Sequence, residues 1–233
     1  MLLFLMDTSG PVAGVSLLKD GNVIYEAMAV NRFTHSASIM PMTDDAFRHT
    51  GLSVTDVDVF GVVVGPGSFT GVRIGVSTVK AMAHGAGRPC VGVDALQAMA
   101  ASVPYFDGVI CPIQDARAGQ VYGAAFEAGE VPTRLLDDAP IAIENFAEKV
   151  SALGKKCLFL GDGMSVYRER LREIMGEQAV FAPASSSYLR PAAAALLASH
   201  MPTTDYLSLM PLYLRAPSAE RLKDRLGKKE NNG

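Results

Sequence analysis

Gly65-Pro66-Gly67-Ser68-Phe69-Thr70-Gly71-Val72-Arg73-Ile74-Gly75 is the stretch on which the reading of this chain turns. An apolar, valine-rich run at 59–64 leads into it, short enough for a strand buried on both faces. Gly65 and Gly67 lack a Cβ and so permit a tight turn and a close backbone approach. Beyond them Val72, Val76, Val79 and Met82 recur at helical spacing, which predicts a helix over 71–84 that Gly85 and Gly87 end. Strand, glycine turn and helix in succession mark an α/β protein. Ser68 or Thr70 can cap the helix, a role worth about 1 kcal/mol. The free N–H groups at such a helix start suit an anion. The nucleotide signatures fail, however: no Lys-Ser or Lys-Thr follows, and the third glycine of a dinucleotide fingerprint falls at Thr70. A ligand-facing loop and a close-packed structural turn, with Gly71 and Gly75 admitting a neighbour, both remain open.

Upstream, strands are expected at 2–6, 14–18 and 23–30, the last two joined through Asp20-Gly21, a strong hairpin signal. A helix follows over 36–49, with Pro41 in its first turns. Downstream, a strand at 90–93 is followed by Asp94, which can cap a helix ending before Pro104. The second half repeats this order. Strands are read at 109–113, 120–126 and 131–136, a helix at 144–153, a strand at 157–160, a helix at 165–175 and a strand near Val180-Phe181. An alanine-rich helix over 191–199 closes the series. Gly161-Asp162-Gly163 stands after the fourth strand of the second half, where Gly65-Pro66-Gly67 stands in the first. Two similar lobes are therefore expected, 1–103 and 104–233, joined near 102–106.

Of 233 residues 49% are apolar and 19% charged, enough for a sizeable core. A net charge of −3 gives no general attraction for phosphates, so contact with RNA needs a partner to supply the positive field. The apolar run at 2–6 is too short for a leader or a membrane span, and Asp7 follows at once. Cys90, Cys111 and Cys157 match neither a disulfide framework nor a zinc spacing. These features point to the cytoplasm, without a membrane. The polar, basic end (Arg221, Lys223, Arg225, Lys228, Lys229) reads as a disordered tail.

Asp7-Thr8-Ser9 ends the first strand, either as a phosphate-facing turn or as an Asx-type turn. His35, His49, His84 and His200 supply no metal pair, because Ile39 stands four residues after His35. Asp115-Ala116-Arg117 reads chiefly as a local ion pair between strands. Ile39, Met40, Met42, Ala46 and Phe47 spread widely round the 36–49 helix, as either a broad core stripe or a face left over for a partner.

Taken in order, Asp7-Thr8-Ser9, His35-Ser36, the glycine loop, Asp115-Ala116-Arg117 with Val121-Tyr122, and Gly161-Asp162-Gly163 with Tyr167 resemble the TsaB (YeaZ) family over most of the chain. That resemblance implies two actin-like lobes with mixed sheets, of the sugar kinase/Hsp70/actin ATPase superfamily and RNase H-like. It implies an accessory role in tRNA threonylcarbamoyladenosine formation: docking and activating the metal-bearing transferase TsaD, with the small ATPase TsaE, and meeting tRNA through the complex. TsaD-type proteins use an H-x-x-x-H pair where this chain has His35 and Ile39, so no catalytic residue and no metal ligand carry over. The resemblance makes the helices at 36–49 and 71–84 the docking surface for TsaD, or for a homodimer in its absence. Ile39, Met40, Met42, Phe47 and Val76 are the candidate contacts. Asp7, Thr8, Ser9, Gly65, Gly67, Ser68, Thr70 and Gly71 are the candidate ligand-facing loop. No cofactor is required, and nucleotide in the inter-lobe cleft is left open. The alternative is an independent ATP-binding kinase or metallopeptidase-like hydrolase, with Asp7 and Asp115 as its only candidate groups.

Overall fold

The computed structural model describes residues 1–30 and 35–215; the basic stretch from Arg221 to Lys229 lies outside them. Leu2–Asp7 (β1) is buried along its whole length, as a strand covered on both faces must be. Val12–Lys19 (β2) and Asn22–Val30 (β3) follow as a hairpin. Asp20 and Gly21 both take positive φ, 49° and 80°, the geometry that matches strand twist in a two-residue turn. His35–Thr50 (α1), Val59–Gly65 (β4), Phe69–Ala86 (α2), Cys90–Asp94 (β5) and Ala95–Ala101 (α3) complete the first series. Val109–Arg117 (β6), Gln120–Glu127 (β7), Thr133–Ala142 (β8), Ile143–Ser151 (α4), Cys157–Leu160 (β9), Met164–Met175 (α5), Ala179–Phe181 (β10) and Pro191–Ser199 (α6) repeat it.

The two five-stranded sheets have the same topology, β3-β2-β1-β4-β5 and β8-β7-β6-β9-β10. In each, the first three strands are antiparallel neighbours and the last two join in parallel. This is the duplicated, mixed-sheet α/β architecture expected from the sequence. Two details differ. Helix α2 begins at Phe69 because Ser68 is its cap, Ser68 Oγ accepting from Gly71 N at 3.3 Å; Thr70 lies inside the helix and caps nothing. Strand β8 runs on to Ala142 instead of ending near 136.

The chain from 104 onward does not keep to its own sheet. Helix α6 packs on β1 and β2 of the first sheet, while α3 packs on β6 and β7 of the second. Glu26 of β3 accepts from Ala192 N at 2.9 Å and pairs with Arg190, seating the start of α6. After α6, Thr204 and Cys90 exchange backbone bonds of 2.8 Å, and Leu212 N donates to Val64 O at 2.7 Å. One core, containing Leu3, Leu5, Leu96, Met99, Ile110 and Leu197, lies between the sheets and continues under α4 and α5; the other lies under α1 and α2. Exchange of the third helices gives each sheet a cover on its inner face, which burial of β1 and β6 requires. The three cysteines are free and buried. Among the described residues no helix is long and apolar enough to cross a membrane.

Candidate functional site

The turn after β1 is an interlocked piece. Asp7 Oδ1 accepts from Ser9 N at 2.8 Å and from Ser9 Oγ at 2.7 Å, an Asx-type turn in which Asp7, Thr8 and Ser9 are all buried. Thr8 Oγ1 donates to Gly71 O at 2.7 Å, and Ser68 N donates to Ser9 O at 2.7 Å. A Cβ on Gly71 would stand 2.1 Å from Thr8 O, and one on Gly67 2.2 Å from Ser9 O. Gly65, at φ 114°, would put a Cβ 2.6 Å from Leu212 O. Contact of protein backbone with protein backbone therefore accounts for these glycines. Burial pushes the Asp7 carboxyl up, against the opposing effect of the Ser9 bonds.

Between the lobes lies a cleft of about 480 Å³. Of the eight residues expected to face a ligand, Ser9, Gly67 and Ser68 line it. Asp7 borders only a narrow cavity at its floor, Thr8 and Gly71 pack beneath the loop, Gly65 meets Leu212, and Thr70 is exposed on α2. The second lobe contributes Gln114, Asp115, Arg117, Tyr122 and Asp162, and residues 212–215 form another wall. Asp115 pairs with Arg117 at 3.5 Å and accepts from Tyr167 Oη at 3.3 Å, so the local ion pair read from the sequence is present. Burial pushes the Asp162 carboxyl up to about 6, and the charge of Asp115 adds to the effect. Gln114 Oε1 is buried and has no hydrogen-bond partner among the described residues. Among the described residues no lysine lines the cleft, and Asp115 and Asp162 share its lining with Arg117 and Arg215. Sequence reading missed Gln114, Asp162 and 212–215. Matching Gly161-Asp162-Gly163 to the first glycine turn was the available signal for Asp162.

His35 Nε2 lies 2.8 Å from Gly10 O, and Ile39, four residues on, is in the core. Among the described residues no three His, Cys, Asp or Glu side chains gather as a metal set. The proposed partner face needs correction at three positions. Ile39 and Val76 are buried, and Phe47 stacks on Phe4 with ring centroids 5.7 Å apart; all three face the first sheet. Met40, 48% exposed, faces outward and Met42 is half-buried. Ser36, Ala37 and Asp44 on α1, with Arg73, Ser77 and Ala81 on α2, are among the other exposed positions.

A family model described as TsaD, tRNA N6-adenosine threonylcarbamoyltransferase, matches residues 30–222. The tRNA threonylcarbamoyladenosine biosynthesis protein TsaB of Bacillus subtilis is 31% identical over 221 residues, covering 94% of this chain and 96% of that one. The chain belongs to the TsaB family. TsaB of Escherichia coli is 30% identical, covering 92% of this chain and 95% of its own length. YeaZ from Pseudomonas aeruginosa superposes with a TM-score of 0.79 at 25% identity, over 91% of this chain and 99% of the YeaZ chain. This TsaB-family member thus shares its fold with a solved relative.

Proposed function

We propose that this TsaB-family chain serves tRNA threonylcarbamoyladenosine formation as a non-catalytic subunit that docks on and activates a TsaD-type transferase. The observation that carries the reading is a pairing: a TsaD-type family model spans 30–222, yet the position four after His35 is a buried isoleucine. A relative of the transferase that lacks the second histidine fits a partner better than a second catalyst. The docking surface is the outer side of α1 and α2. There Met40 is exposed one turn from Ser36 and Ala37 on α1, and Ser77 and Ala81 are exposed on α2; an adaptable thioether on a surface with small residues lets another helix approach closely. The same surface serves a homodimer when the transferase is absent. TsaE completes the assembly, and tRNA is reached through it, consistent with the net charge of −3.

The test is reconstitution. TsaD, TsaE, tRNA and the activated threonylcarbamoyl donor are assayed with and without this chain. The chain alone is expected to be inactive and to raise the rate of the mixture, whereas equal rates with and without it reject the proposal.

One observation favours a second reading, an independent enzyme with the cleft as its active site. Asp162, held near 6, is in the range of a general acid or base. Calorimetry of the isolated chain with ATP and magnesium separates the two: tight binding with turnover supports the enzyme, and no heat supports the subunit.

A further inference from the structure

Residues 204–215 follow α6 and run back along the first lobe to the mouth of the cleft. Their hold on that lobe is multiple. Thr204 and Cys90 exchange two backbone bonds, Lys80 Nζ donates to Leu207 O at 3.4 Å and to Leu209 O at 3.1 Å, and Leu209 is buried. Leu212 N bonds Val64 O, and the Leu212 carbonyl fills the space a Gly65 side chain would need. The Tyr213 ring lies 4.7 Å from that of Phe69, Tyr213 Oη accepts from Arg73 Nε at 2.8 Å, and the Arg73 guanidinium lies over Phe69 at 3.8 Å. Among the described residues the hydrogen bond to the second lobe is Arg215 Nη1 donating to Ala116 O at 3.0 Å. Ala116 stands at the head of the β6–β7 hairpin, where Arg117 and Ala118 take φ of 66° and 54°, the positive φ of a tight hairpin turn.

We infer that residues 204–215 are a strap latched across the cleft: anchored on the first lobe, closed on the second by Arg215, and tied to the partner-facing helix through Arg73. The asymmetry gives the direction. At the cleft mouth, where the core between the sheets does not reach, opening breaks the Arg215 bond and leaves the strap's first-lobe anchors in place, so Arg215 is the releasable end of the strap. Arg73 belongs at once to the exposed side of α2 and to the Phe69–Tyr213 cluster. Whatever engages that side of α2 therefore acts on the wall of the cleft, and cleft opening acts back on α2, since coupling between sites is reciprocal.

The test needs no partner and so is independent of the docking proposal. Spin labels at Thr70→Cys and Val166→Cys, both exposed and in the first turns of α2 and α5 on opposite lobes, report the opening by pulsed electron resonance; the native cysteines are buried and stay unlabelled. The parent is expected to give one dominant distance. Arg215→Ala is expected to raise the longer-distance population about fivefold relative to the short one, the change that loss of one modest hydrogen bond brings. Tyr213→Phe, which removes only the acceptor for Arg73, shifts it in the same direction by less. Identical distance distributions in parent, Arg215→Ala and Tyr213→Phe, at unchanged melting temperature, would show that the α3–α6 layer alone sets the opening and would overturn the latch.

Discussion

Replacing Asp162 by Asn is expected to stabilise the protein, and only above acid pH. The Asp162 carboxyl is mostly buried at the cleft, facing the Asp115 charge, and its proton is held up to about 6 against an ordinary 3.8. The sign follows from linkage. Between those two values the folded chain keeps a proton that the unfolded chain has lost, so stability falls as pH rises through the window and levels off above it. The gap between 3.8 and about 6, at about 1.36 kcal/mol per decade, gives a ceiling of about 3 kcal/mol at pH 7. Asn keeps the shape without the charge. Asp7 and Asp94 are also pushed up by burial, but they titrate in both proteins and cancel in the difference. Urea denaturation at pH 4, 5, 6 and 7 measures it. The advantage of the variant should be near zero at pH 4 and grow to roughly 1–3 kcal/mol at pH 7. A pH-independent difference, or a less stable variant at pH 7, would refute the reasoning.

Gly71→Ala places a methyl 2.1 Å from Thr8 O and is expected to lower the melting temperature sharply, while Gly85→Ala, with open space around it, should gain about 0.5–1 kcal/mol from helix propensity. If both behave alike in thermal melts, the interlock of the β1 turn with α2 is wrong. Phe47→Ala removes a core ring stacked on Phe4 and should cost about 3–5 kcal/mol in urea titrations. Met40→Glu should leave stability within about 0.5 kcal/mol yet abolish co-elution with TsaD on size exclusion. Ser68→Ala should cost about 1 kcal/mol in the same titrations through loss of the α2 cap, and no change would remove Ser68 from that role.

The β1–β3 hairpin, the strand-turn-helix at Gly65 and the repeated order of elements were legible because each rests on local chemistry: Asp20-Gly21, paired glycines, apolar spacing. What escaped depends on contacts far apart in sequence. Periodicity located the α1 helix without showing that Ile39 and Phe47 face the sheet and Met40 does not, since the inward direction is set by Phe4 and Phe60, which lie well before and well after the helix in the chain. Nothing near Leu212 or Arg215 announces that they wall the cleft; their partners, Val64 and Ala116, are about 150 and 100 residues earlier. Asp7 and Thr8 looked like ligand groups because small polar residues serve equally well at a phosphate and in a turn whose own backbone must be satisfied.

The exchange of α3 and α6 between sheets also bears on synthesis. The inner face of the first sheet is covered by a helix that ends at Ser199, so that sheet emerges from the ribosome long before its own cover does. Leu3, Leu5 and their neighbours must wait, exposed, while the whole second sheet is made. The first lobe is thus completed last although it is translated first, and during that interval the nascent chain offers an apolar surface that a chaperone can occupy.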